Sequence, residues 1–281
     1  MNGLIVALAL PGLAFVATSE SLQMTPADMR IVPGATFQMG TDPNEVPGIM
    51  ERTGLIDASP LEPEMPARSI TVATFFLDTF DVSNADFADF LADHPQWRKD
   101  LADPSHHNGR YLEHWTAKGP PEEVLDHPVT FVTWFVAVAY CQSLGKRLPT
   151  EAEYEWAAQN PSTRAEYPWG DAPPTDNIVS WGGNGIDTTV PVGSYPPNDR
   201  GLYDMAGNVW HFVSDPWLGS YQEMLGDSTS GEAHDPMIRR VVRGGSWGAN
   251  AVNLRVRYRD SHRPFDAREM VGFRCAMSAV Q

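Results

Sequence analysis

Residues 147–158 read RLPTEAEYEWAA, and the order of that dozen side chains sets how the chain around them is read. Thr150 with Glu153 three positions on is a capping box: the hydroxyl accepts from the third helical N–H while the carboxylate reaches back to the cap's own N–H. A helix therefore opens here and carries Tyr154, Trp156 and Ala157. Upstream, Trp134, Val138, Cys141 and Leu144 fall at i, i+4, i+7 and i+10, with Gly145 as a C-terminal stop. That spacing puts Cys141 on the buried face of a second short helix. Ser83 caps a third, with Asp86 in its first turn and Phe87, Phe90 and Leu91 on one face.

Outward from these helices the pattern changes. Residues 31–40, IVPGATFQMG, alternate about a Pro-Gly turn and predict a hairpin, and residues 70–80, ITVATFFLDTF, are rich in strand formers. Residues 42–69 are rich in Pro, Asp and Glu and read as a surface loop, and residues 94–127 as a long ordered one. Beyond residue 160 every run is short and bounded by Gly, Pro or Asn. No repeat or linker interrupts the chain, so one domain is expected over residues 25–281.

Composition agrees. The 281 residues include 23 Gly, 24 Pro and nine Trp, which fits a loop-rich fold pinned by aromatic side chains. At 42% hydrophobic and 20% charged the chain is an ordinary globular protein, not a disordered tail or a polytopic membrane protein. Its formal charge of −16 disfavours nucleic-acid backbones and suits calcium or cationic ligands, although acidity also serves solubility alone. Residues 4–17, LIVALALPGLAFVA, form an apolar run too short to span a bilayer comfortably. Ala17 and Ser19 then fit a signal-peptidase site, so residues 1–19 are read as a signal peptide lacking the usual basic start, and the protein as periplasmic or secreted. No membrane association beyond that segment is expected. Cys141 and Cys275 are the only cysteines; spacing alone leaves one bridge or two buried thiols open.

Five strings are more specific: RLPTEAEYEWAA (147–158), YPWGD (167–171), PVGSYPPNDRGLYDMAGNVW (191–210), RVVRGGSW (240–247) and VGFRCA (271–276). Together, in this order, they resemble the formylglycine-generating enzyme family, also called the sulfatase-modifying-factor domain. The resemblance runs from about residue 31 to the carboxyl terminus. It implies an α+β fold, an irregular, loop-rich relative of the C-type lectins. It also implies that Cys141 pairs with Cys275, which supports export.

The same resemblance implies two structural calcium sites. One maps onto the Asn177 side chain, the Ile178 carbonyl, Asn184 and the Ile186 carbonyl, with Asn184 where an Asp is usual. The other maps onto Asp204, the carbonyls of Gly207 and Val209, and His211, which replaces a Glu by a poor calcium ligand. Asp204 and Asn208 are also residue types that favour turns without any ion.

The chain departs from the family at its chemistry. The family's copper-holding cysteines follow the GGS motif, and here those positions are Ala249 and Leu254. Monovalent copper wants thiolates, so copper and formylglycine formation are not expected. Ser246, Trp247, Asn250, Asn253, Arg255, Arg257, Arg259 and His262 remain as candidate pocket residues. Alternate arginines at 255, 257 and 259 would share one strand face, as a site for a carboxylate or phosphate or as partners of acidic loops. His106, His107, His114, His127, His211 and His262 show no tight ligand frame, so an imidazole iron site is disfavoured.

Two functions are weighed. One is an exported, copper-free oxidoreductase or tautomerase acting on a small-molecule or peptide-derived, anionic substrate. It would resemble the family branch that matures the pyoverdine siderophore, with His262, His114 or Asp260 as acid or base. The alternative is a non-catalytic, calcium-stabilised ligand- or protein-binding module using loops 42–69, 94–127 and 215–236.

Overall fold

The computed structural model describes residues 28–160, 164–221 and 237–279. The signal segment over residues 1–19 and most of the 215–236 loop lie outside them. Among the described residues four α-helices and nine short strands are joined by long irregular segments, as the α+β expectation required: α1 (Val46–Thr53), α2 (Asn84–Asp93), α3 (Trp134–Ser143) and α4 (Glu151–Ala158). Strand β1 (Met29–Val32) pairs antiparallel with β4 (Phe75–Asp78), which in turn pairs with β9 (Ala276–Ser278). β2 (Ala35–Met39) pairs with β3 (Arg68–Val72). A four-stranded sheet has the order β7 (Arg259–His262), β6 (Arg240–Arg243), β5 (Trp210–Pro216), β8 (Val271–Gly272), with β5 and β8 parallel.

Helix α4 sits between these sheets. Tyr154 and Ala157 pack with Leu77, Val213 and Val241, while Ala152 packs with Phe37, Ile70 and Val72. The capping box at Thr150 and Glu153 is formed, and so is the one at Ser83 and Asp86. The largest core cluster lies on the other side, where Phe87 stacks on Tyr140 and the other contacts among Phe87, Phe90, Tyr140 and Phe273 are edge-on or tilted. Cys141 of α3 and Cys275 are joined by a disulfide inside that cluster.

Three local expectations are corrected. The Pro-Gly step at 33–34 does not close a hairpin, because β1 and β2 pair with β4 and β3 instead. Pro33 has no N–H to give, the Gly34 N–H goes to the Thr74 hydroxyl at 2.9 Å, and a Cβ there would lie 2.7 Å from the Thr74 nitrogen. The step therefore kinks one long ribbon between two sheets. The acidic segment 42–69 is more than a loop: it contains α1, and Leu61 and Glu64 are buried. Leu144 caps α3 and is 53% exposed, so it is not on the buried face with Cys141.

Candidate functional site

The three alternating arginines do not share a strand face. Only Arg259 lies in β7, while Arg255 and Arg257 fall in the turns before it. All three are buried, and each guanidinium meets carboxylate. Arg259 grips Glu151 of α4 with two nitrogens at 2.7 and 2.8 Å. Arg255 donates to Glu64 at 2.5 Å and to Glu166, and Arg257 reaches Glu166 at 3.3 Å. Arg243 of β6 completes the network against Glu151 at 2.9 Å and Glu155 at 2.7 Å. Burial would raise the Glu166 carboxyl, but Arg255 and Arg257 hold it below its usual range. A buried guanidinium without a carboxylate would be costly, and a guanidinium already held by one in the core is not offered to an anionic ligand. Of the two readings for these arginines, pairing with acidic residues is the one seen.

The GGS turn lies beside this network. Gly244 has a φ of +92°, and a Cβ there would sit 2.5 Å from the Tyr154 hydroxyl, so only glycine fits. Ser246 is buried, and its hydroxyl has no hydrogen-bond partner. Trp247 is half-buried, with its N–H on the Asn208 carbonyl at 2.9 Å. The Asn250 side-chain oxygen accepts from the N–H groups of Val252 and Asn253, which holds the turn rather than facing a ligand. Ala249 and Leu254 are buried in an apolar cluster with Tyr167, Val179 and Ala206, flanked by Trp169 and Trp181. Methyl and isobutyl groups offer no lone pair to a copper ion, so these residues do not fit one. The two cysteines are spent on each other in a different cluster.

The histidines are dispersed. His106 stacks between Trp97 and Phe135, His107 lies near Tyr111, and His127 hydrogen-bonds Thr189 at 2.9 Å. Burial pushes both His114 and His262 down to about 4, aided by nearby cations. Among the described residues no three His, Cys, Asp or Glu side chains stand together as a metal site.

His211 is the exception in depth, since it is fully buried on β5. Its Nε2 donates to Asp81 at 2.5 Å, and its Nδ1 accepts from the Tyr154 hydroxyl at 2.8 Å. Burial keeps the ring neutral, and Arg274 is the cation that holds Asp81 low against its own burial. With both nitrogens committed, His211 cannot be the calcium ligand its position suggested. Asp204 and Asn208 adopt φ values of +53° and +57°, and Asn208 brackets Val190 with two hydrogen bonds at 3.1 Å, so their turn role is real. Asp204 accepts from the Gly193 N–H at 2.7 Å, while burial and the Asp81 charge push its carboxyl up to about 7. Gly207 and Val209 are buried in the same turn. Asn177, Ile178, Asn184 and Ile186 lie on one loop, where the Asn184 oxygen accepts from the Ile186 N–H at 3.1 Å.

Sequence reasoning did not single out Glu64, Asp81, Glu151, Glu155, Glu166 or Arg274. A signal existed for one pair only: Glu151 and Glu155 are four apart and share a helix face.

The sulfatase-modifying factor enzyme 1-like domain matches residues 15–279. Formylglycine-generating enzyme of Thermomonospora curvata is 30% identical, covering 95% of this chain and 99% of that protein. Inactive C-alpha-formylglycine-generating enzyme 2 of Bos taurus is 31% identical over 88% of this chain and 87% of its own length. Among solved structures, PvdO from Pseudomonas aeruginosa superposes with a TM-score of 0.66 at 24% identity, covering 89% of this chain and 94% of that one. CarF does so at 0.61 and 20%, covering 91% and 99%.

Proposed function

The chain belongs to the sulfatase-modifying-factor, or formylglycine-generating enzyme, family, and from that premise we propose a copper-independent member that binds a ligand rather than oxidising a cysteine. The observation that carries this is the apolar cluster around Ala249 and Leu254, which occupies the ground where sulfur donors would be needed. The arginines weighed above as an anion site are already engaged by Glu64, Glu151 and Glu166. A relative of similar identity that bears the word inactive in its name supports the same reading. Binding then belongs to the loop face, and the ligand is a small molecule or a peptide.

The test is direct. Purified protein is incubated with Cu(I), desalted and assayed for bound copper, and for oxygen uptake with a cysteine-containing sulfatase peptide. Neither stoichiometric copper nor peptide-dependent uptake is expected; both together would overturn the reading.

Copper-free oxidoreductase or tautomerase chemistry has one observation in its favour. Asp204 lines a narrow crevice with Tyr195 and Trp169, and a carboxyl raised to about 7 is poised for proton transfer at neutral pH. His114 and His262, held down near 4, are weak bases by comparison. Turnover of a peptide or catechol-like substrate that disappears in Asp204→Asn would establish this second reading.

Calcium is proposed at the first loop only. Asn177, Ile178, Asn184 and Ile186 would supply neutral oxygens, with Asp176 and Asp187 beside them in sequence for charge. There the ion would tie the loop down and take no part in chemistry. The second set does not fit, because His211 has no nitrogen to spare. Export to an oxidising compartment is proposed from the disulfide together with the apolar run at residues 4–17.

A further inference from the structure

An open groove of about 640 Å³ lies between α2 and residues 98–120, and it shares no residue with the network or crevice described above. Ala88 and Leu91 of α2 form one apolar side, and Leu112 and Trp115 the other. Trp115 is held rigidly: its indole N–H donates to the Asn84 side chain at 2.9 Å, and its ring packs edge-on to Phe87. A preformed apolar wall of this kind and size is suited to a small molecule.

The charges at the groove are unusual for this protein. The chain has only three lysines, at 99, 118 and 146. Lys146 is paired with Asp28 and Asp78, while Lys99 and Lys118 both line the groove. Among the described residues neither of these two has a carboxylate partner. The Lys99 ammonium is anchored by the carbonyls of Leu112, Glu113 and Trp115 at 2.8–3.3 Å, which fix its place without cancelling its charge. That charge reaches beyond its anchors, since Lys99 helps push the neighbouring His114 down. Arg98, also in the lining, is offset by Asp100 at 3.1 Å. The groove thus joins an apolar wall to two ammonium groups that have no carboxylate partner among the described residues: Lys118, whose N–H donors are uncommitted there, and Lys99, which keeps its charge but spends its three N–H donors on carbonyls, in a chain of charge −16.

We infer that this groove is a binding site for an amphipathic carboxylate, its apolar body against Trp115 and Leu91 and its anionic head on Lys118, with the fixed charge of Lys99 adding attraction across the groove. A polyanion would be repelled by the acidic surface, and a neutral apolar molecule would gain nothing from the lysines. The ammonium groups are point charges that impose no head-group geometry, so the ligand class follows from one negative charge joined to an apolar body. The inference rests on the ligand-binding reading and names the ligand class for it.

Calorimetric titration of the intact protein with decanoate tests it, with 1-decanol as the uncharged control. One site per chain is expected, with decanol about tenfold weaker or worse. Lys118→Glu should weaken decanoate by at least about tenfold and Lys118→Arg should largely preserve it, while melting temperature stays unchanged because Lys118 is exposed and, among the described residues, its side chain makes no hydrogen bond or ion pair. Leu91→Trp, which fills the groove, should abolish the heat. Absence of decanoate binding, equal binding of decanol, or indifference to Lys118→Glu would each overturn the site. The copper and oxygen-uptake assays fail or succeed independently. A chain that bound no copper and no decanoate would lose this groove alone, whereas one that took up copper and oxidised the peptide would lose the reading beneath it.

Discussion

At Asp204, burial and a neighbouring carboxylate raise the folded-state pKa to about 7 from an ordinary value of 3.8. Between those two values the folded protein holds a proton that the unfolded chain has lost, so this residue's contribution to stability falls as pH rises through the window. Asp204→Asn removes the charge that must be buried above pH 7. In EDTA, the melting temperature of the variant minus that of the parent should be small at pH 5 and grow towards pH 8. Histidines held neutral by burial act in the opposite sense, losing stability as pH falls below their ordinary value, but they titrate alike in both proteins and cancel. A flat difference across that range would sink the account. Asp204 was legible as a turn residue because Asp tolerates a positive φ, whereas its raised pKa depends on Asp81, which only the fold brings near. The arginines show the same limit. Alternation at 255, 257 and 259 was legible, but Glu64, Glu151 and Glu166 lie 89–191 positions away in sequence, and no local pattern pairs residues across that distance.

Elements defined by local chemistry were legible, and those defined by distant partners were not. The capping boxes at Thr150 and Ser83 close within four residues, so their helices start where the side chains say. Extended chain on either side of the Pro-Gly step was legible over residues 31–40, but its pairing as a hairpin was not what the fold adopts, because the Gly34 N–H is taken by Thr74, 40 positions on. The turn-rich segment at 175–187 is the element where an ion would matter most. It carries no helix or strand, its Gly182, Gly183 and Gly185 are exposed, and few internal bonds such as Ile178 to Thr175 hold it. A bound cation adds stability in proportion to the logarithm of its concentration over the dissociation constant. EDTA should therefore lower the melting temperature of the parent protein by several degrees, and excess calcium should restore it. Asn184→Ala should lose most of that response, while His211→Ala should destabilise without changing the calcium dependence. A parent protein indifferent to EDTA would remove the proposed ion.

At the scale of the molecule, the described residues form three separate sheets and no helix longer than ten residues, and a fold of that kind needs ties that cross it. Two are visible. The buried ion network links Glu64, α4, β6 and the turn before β7, and removing one partner of such a pair leaves an uncompensated charge in the core. The disulfide closes a separation of 134 residues, from α3 to the segment leading into β9. Chain-entropy reasoning assigns a loop of that length about 5 kcal/mol, because the cross-link mainly restricts the unfolded chain. The pairing was implied by resemblance and is met in the fold, while the spacing of two cysteines alone allowed either outcome. Cys141→Ala with Cys275→Ala should lower the unfolding free energy obtained from urea titration by an amount approaching that figure, and the urea midpoint with it, since the small side chains leave Cys-sized gaps but no strained thiols. Reducing agent should move the parent protein towards the double variant and leave the variant itself unmoved. If both proteins unfold at the same urea concentration, the sheets hold together without the staple, and the chain-entropy account of this disulfide fails.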